Sequence, residues 1–230
     1  MTVAAVILAA TPASALADAD GTPGVRRLAD VAWAGGATPV VVCAADPDGA
    51  VAAALANAEV TLVDPADVAA GPVGQISNGV RAAVSLVSDT DAALVWPARM
   101  TWVDAETVTT LIAAHGEDRG SVVRPAWNGE PGWPVLLPVA RLEAFASLAP
   151  DRMPPELLAD LEATGVPVRL VETGDPGVTH DVSTARGDLP AYDGPPEPAD
   201  AHAHEWGAAV ADDPDDAPVT GPARLTLPPA

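Results

Sequence analysis

VAAVILAATPASALAD, residues 3–18, is an apolar strand running straight into a loop. Residues 3–10 show no alternation: every side chain is apolar, as in a parallel strand buried on both faces. α/β proteins that cradle phosphates place glycines and a basic residue in the loop after such a strand. Here the loop reads Thr11-Pro12-Ala13-Ser14-Ala15-Leu16-Ala17-Asp18, with no glycine before Gly21 and no basic residue before Arg26. The strand of a phosphate-binding scaffold is present without the groups that usually follow it.

Composition narrows the classes of partner. The chain has 230 residues, with 32 acidic side chains against 11 basic ones, and its net charge is -21. All the basic residues are arginine. That charge excludes nucleic acid and anionic membrane surfaces as natural partners. The single cysteine, Cys43, follows Val40-Val41-Val42 and reads as a small buried hydrophobe, so no disulfide forms within the chain. Residues 3–17 also carry the Ala-x-Ala spacing of a signal peptide, but no positive charge precedes them. The expectation is a first core strand in a cytoplasmic chain. No apolar run approaches the roughly 20 residues that a membrane helix needs.

Strand and helix periodicities then alternate. Strands are expected at residues 39–44, 60–63, 92–96, 121–124, 135–138 and 168–171. Helices are expected at 26–35, 49–58, 77–87, 104–115, 141–149 and 155–164, with a final short helix at 184–189. The helix at 77 is entered through Gly71-Pro72-Val73-Gly74-Gln75, Asp104 reads as an N-cap, and Trp127-Asn128-Gly129 reads as a turn. Alternating β and α elements imply a three-layer, Rossmann-like α/β fold with a mainly parallel sheet. Residues 39–44, 3–8 and 92–96 should lie side by side. From about Tyr192 the composition turns to proline and aspartate, so the expected organisation is a domain over 1–191 and an acidic tail over 192–230, extended or disordered. His202 and His204 lie in that tail as a weak candidate metal pair, and Trp206, Leu225 and Leu227 are its apolar anchors.

Five segments in order carry a resemblance. Residues 3–10 are similar to a first strand; GPVGQISNGVRAA, 71–83, resembles a pattern GMxSSLRAGL; LVWPARMTWVDAETV, 94–108, resembles LVLLGDMPLVDPETV. WNGEPGWPVL, 127–136, resembles YNGxxGHPVL, and DPGVTHDVST, 175–184, resembles DPGVxxDIDT. Together they resemble the molybdenum-cofactor nucleotidyltransferases, MobA-like NTP transferases of the cytidylyltransferase-like branch. The resemblance implies a nucleotidyltransferase fold, and CTP or GTP with a divalent metal if the chain is active.

The departures from that pattern fall on chemistry. The resemblance places two metal-binding positions at Arg99 and Ser183. A guanidinium is a permanent cation and cannot coordinate Mg²⁺, and a serine hydroxyl carries no charge. Losing both ligands removes transition-state stabilisation on the order of 10³-fold in rate. The nucleotide pocket falls on Ala10, Thr11, Gly74, Gln75, Arg99 and Trp133, where the family pattern has glycines, cations, paired serines and a histidine. Pro12 removes a further backbone N–H. Trp96, Trp102, Trp127 and Trp133 align near the site and either pack the sheet edge, fill a former pocket or form an interface. The sequence reading is therefore a catalytically degenerate nucleotidyltransferase-like chain with no cofactor expected. It would act as a binding, accessory or scaffold subunit, with a protein partner such as a molybdenum hydroxylase or maturation factor. The alternative is a working transferase with altered metal use, for which Arg99, Arg124 and Asp181 are the groups to examine.

Overall fold

The computed structural model describes residues 1–152 and 154–194, which belong to one compact unit, Met1–Pro195. The expectations for His202, His204, Trp206, Leu225 and Leu227 lie outside the described residues.

The chain opens with β1 (Thr2–Leu8), a one-turn α1 (Pro12–Ala15) and a small hairpin of β2 (Asp18–Ala19) and β3 (Thr22–Pro23). Next come α2 (Gly24–Ala34), β4 (Val40–Cys43), α3 (Ala50–Ala54), β5 (Val60–Val63), α4 (Gly71–Leu86), β6 (Thr90–Pro97) and α5 (Ala105–Glu117). The last part holds β7 (Val122–Trp127), β8 (Glu130–Pro131), β9 (Val135–Pro138), α6 (Leu142–Ala146), α7 (Pro154–Ala163) and β10 (Val168–Glu172).

The sheet order is β10-β7-β9-β6-β1-β4-β5, with β8 paired to β7. All neighbours are parallel except at β9 and β8, so the sheet is mainly parallel as expected. β1 lies between β6 and β4, with Val6 opposite both Val95 and Val41. Its side chains alternate between two cores. Val3, Ala5 and Ile7 meet α2 and α5 through Val25, Leu28, Val108 and Leu111. Ala4 and Val6 meet α4, α6 and α7 through Ile76, Val80, Phe145, Leu157 and Leu161. Burying each large aliphatic side chain contributes about 1.5–3 kcal/mol, so this double coverage makes β1 the fold's axis.

Several boundaries differ from the sequence reading. Gly71–Gln75 is the first turn of α4 itself and not a loop leading into it, because a proline is well tolerated in a helix's first turn. α3 stops at Ala54, short of the expected 58, and Asn57 adopts a left-handed φ of 62°. Asp104 stands at the N-cap of α5, yet its side chain makes no capping hydrogen bond. The expected helix over 184–189 is only a 3-10 turn, Arg186–Asp188. The turn after Trp127 is a two-residue hairpin, with Asn128 and Gly129 both left-handed at 52° and 80°. Among the described residues no helix is long and apolar enough to cross a membrane.

Candidate functional site

From β5 the chain returns to the far side of β1 to form β6, so β1 and β6 flank a topological switch point. In open α/β sheets the crevice beyond the strand carboxyl ends at such a point is where ligands bind. The loops there follow β1, at residues 9–17, and β6, at 98–104. The C-terminal segment 173–194 closes over the second of them.

The first loop folds on itself. The Thr11 hydroxyl accepts the Ser14 N–H at 3.1 Å, and the Ser14 hydroxyl accepts the Thr11 N–H at 3.0 Å and donates to the Thr11 carbonyl at 2.7 Å. The Ala15 and Leu16 N–H groups bond to Thr11 and Pro12 carbonyls. Pro12 has no N–H. The donors that would face a phosphate are thus largely consumed in building α1, and Ala10 and Thr11 stand exposed beside it.

The second loop and the closing segment meet through two aspartates. Asp175, 1% exposed, accepts the Asp104 N–H at 3.0 Å, the Thr107 hydroxyl at 2.7 Å and the Gly177 N–H at 2.8 Å. Burial pushes its carboxyl above the ordinary value, although those three donors pull the other way. Burial and the Asp175 charge raise Asp104 as well, and Arg27, 3.8 Å away, offsets part of this. Arg27 also donates to the Thr101 carbonyl at 2.8 Å and lies 5.6 Å from the centre of the Trp102 ring. Gly177 is required here: a Cβ would collide with the Trp102 carbonyl and the Val103 nitrogen.

Asp181 sits at the other end of the same segment. It forms an ion pair with the Arg99 guanidinium. Its second oxygen accepts the Ser183 N–H at 2.9 Å and the Ser183 hydroxyl at 2.5 Å. Burial pushes Asp181 upward, but the Ser183 donors and Arg99 outweigh it and hold the carboxyl below its usual value. The Trp102 indole N–H donates to the Asp181 and Thr184 carbonyls, both at 3.0 Å, and the Val182 N–H donates to the Arg99 carbonyl at 2.8 Å. Arg99, which lies 82 positions before Asp181 in sequence, therefore joins Asp181 and Ser183 in one constellation.

The other candidate residues do not join it. The Gln75 amide is engaged at both ends by the Ala66 backbone, at 2.9 and 2.8 Å, where it holds the loop before α4. Gly74 packs against Ala70. Trp133 is half-buried and packs into both cores. Trp96 is fully buried, with its indole N–H on the Met100 carbonyl at 3.0 Å, so it belongs to the core. Trp127 meets His180 edge-on at 5.4 Å, and the His180 Nδ1 lies 2.7 Å from the Pro176 carbonyl. Sequence reasoning missed Arg27, His180 and the hub role of Asp175. The start of the DPGV motif was the available signal for the last of these.

Residues 5–165 match the model of the MobA-like NTP transferase domain. The chain belongs to that family. Solved structures with the same fold include a nucleotidyl transferase from Methanothermobacter, 20% identical, with a TM-score of 0.62 over 81% of this chain and 94% of that one. The 2-C-methyl-D-erythritol 4-phosphate cytidylyltransferase of Thermus thermophilus is 18% identical, with a TM-score of 0.60 over 82% and 96%. A manganese complex of Rv0371c from Mycobacterium tuberculosis is 17% identical, with a TM-score of 0.58 over 75% and 89%. No curated protein sequence matches the chain.

Against this MobA-like background the residues of the Arg99 centre do not fit a divalent cation. The carboxylate that could serve as a ligand is neutralised by a guanidinium and capped by a hydroxyl. Among the described residues, no three His, Cys, Asp or Glu side chains converge to hold a metal ion.

Proposed function

We propose that this MobA-like domain has given up nucleotidyl transfer and acts as a binding or accessory subunit for a protein partner, linked to molybdenum enzymes or their maturation. The observation that carries the reading is the Arg99–Asp181 ion pair at the switch-point crevice. Nucleotidyl transfer rests on positioning and on neutralising the phosphates' developing charge. A guanidinium committed to an internal carboxylate contributes little to either. The self-satisfied turn over residues 11–16 supports the same reading, because it offers a phosphate few free N–H groups.

A second reading is a transferase that works without a metal. It is favoured by the exposure of the Arg99 side chain, 65%, which leaves the guanidinium free to turn toward a phosphate. One assay separates the two. Purified protein is incubated with molybdopterin and CTP or GTP, with and without Mg²⁺ or Mn²⁺, and pyrophosphate is measured. No release above a protein-free control is expected in any arm. Release without metal that is lost in Arg99→Gln would establish the second reading, and metal-dependent release would overturn both. Affinity capture from the native host, read by mass spectrometry, then tests the partner: recovery of a molybdenum hydroxylase or a maturation factor is expected.

A further inference from the structure

The face of the sheet covered by α4, α6 and α7 carries one residue out of keeping with its neighbours. Val6, Val95 and Val135 stand side by side across β1, β6 and β9, all buried. Because Val123 faces Leu136, the next position in this row on β7 is Arg124, and beyond it on β10 lies Leu170, 51% exposed. A half-buried arginine thus interrupts an otherwise apolar row.

Among the described residues, no carboxylate pairs with Arg124. Its Nε is buried without a hydrogen-bond partner. The other half-buried arginines among the described residues are all engaged: Arg26 with Asp30, Arg27 with Asp104, Arg141 with the Gly120 carbonyl, Arg152 with Asp160 and Arg169 with Glu117. Burial lowers the Arg124 pKa, and among the described residues no neighbouring carboxylate raises it again. Keeping a partly desolvated cation without a counter-ion has a cost, and perturbed charges of this kind concentrate where an external ligand supplies the counter-charge. The fork of a guanidinium matches phosphate and carboxylate oxygens in pairs.

We propose that Arg124 is the anchor of a binding site for a small anion, a phosphate or carboxylate group, at the β7–β10 margin of this face. The site is separate from the Arg99 centre and does not depend on whether that centre is active. Its neighbours in the row are the buried Val135 on β9 and the exposed Leu170 on β10, and neither carries a charge that could pair with it.

The competing account is that Arg124 only drapes its aliphatic stem over apolar surface. Calorimetry and thermal melts of the full chain separate the two, with inorganic phosphate, pyrophosphate and succinate as probes. The wild type is expected to bind at least one probe and to melt higher in its presence. Arg124→Met keeps the stem and removes the charge. It is expected to melt higher than the wild type without ligand and to lose probe affinity by about ten-fold or more. Arg124→Lys keeps a charge without the fork and is expected to bind weakly, which preserves the test if the methionine variant does not fold. Phosphate preference over succinate assigns a phosphate ligand, and the reverse assigns a carboxylate. The proposal is overturned if no probe binds, if Arg124→Met and Arg124→Lys bind as the wild type does, or if binding disappears in Arg99→Gln and survives in Arg124→Met.

Discussion

Asp175 and Asp181 lie six positions apart in one segment and have opposite fates. Asp175 is sealed from water and accepts three hydrogen bonds from the loop after β6, the start of α5 and its own turn. Its carboxylate is a structural clasp held against its own desolvation. Asp181 is near the surface, and its charge is taken up by Arg99 and Ser183. The first aspartate brings two remote loops together. The second occupies the position this creates, and an arginine already holds it. Being an aspartate in a family motif therefore says little about role; the environment assigns it.

Asp175→Ala should produce the largest effect. It leaves the Asp104 and Gly177 N–H groups and the Thr107 hydroxyl without their acceptor, a loss of about 3 kcal/mol that denaturant unfolding would register. A melting temperature close to that of the wild type would remove Asp175 from its hub role. Gly177→Ala should cost about 2 kcal/mol, because the new methyl group meets Trp102 and Val103 backbone. It should also loosen the Arg99 centre, visible as greater protease access to residues 181–189.

The two carboxyl shifts have opposite signs, so acid should separate the aspartates. Asp175 is raised in the folded state, and its contribution is larger when pH falls through the folded value toward the ordinary carboxylate value. Asp181 is lowered, and its contribution is present above the ordinary value and lost as pH falls through the folded one. The wild-type margin over Asp175→Ala should therefore widen on acidification, while the margin over Asp181→Ala should narrow. Urea unfolding at neutral pH and at about pH 4 or below tests this, and parallel margins would contradict it. The smallest effect belongs to Arg99→Ala. The side chain is largely exposed, and surface ion pairs contribute about 0–1 kcal/mol, so its melt should stay near that of the wild type.

Much of this architecture was readable without coordinates. The apolar runs at β1, β4 and β6 pointed to three neighbouring parallel strands, because only burial on both faces tolerates such composition. Asn128-Gly129 announced its hairpin. The aligned positions Arg99, Asp181 and Ser183 were found in one place. What was not legible depends on distance in space. The burial of Asp175 comes from contacts with residues 68 and 71 positions away, which no local pattern encodes. Gln75 departs from the family's paired serines at a nucleotide-pocket position, and no local pattern showed that its amide would hold the Ala66 backbone at both ends. The four tryptophans near the site left packing, a filled pocket and an interface all open in sequence; Trp96 faces the core and Trp102 serves as a strut under the closing segment.

If the Arg99 guanidinium stands where a metal could otherwise bind, Mn²⁺ should bind only once that cation is replaced. Calorimetric titration of Mn²⁺ into the wild type and into Arg99→Asp with Ser183→Asp measures this directly. No binding is expected in the wild type, and measurable binding is expected in the double variant, where three carboxylates replace a neutralised one. Mn²⁺ binding to the wild type that disappears in Asp181→Asn would contradict the account.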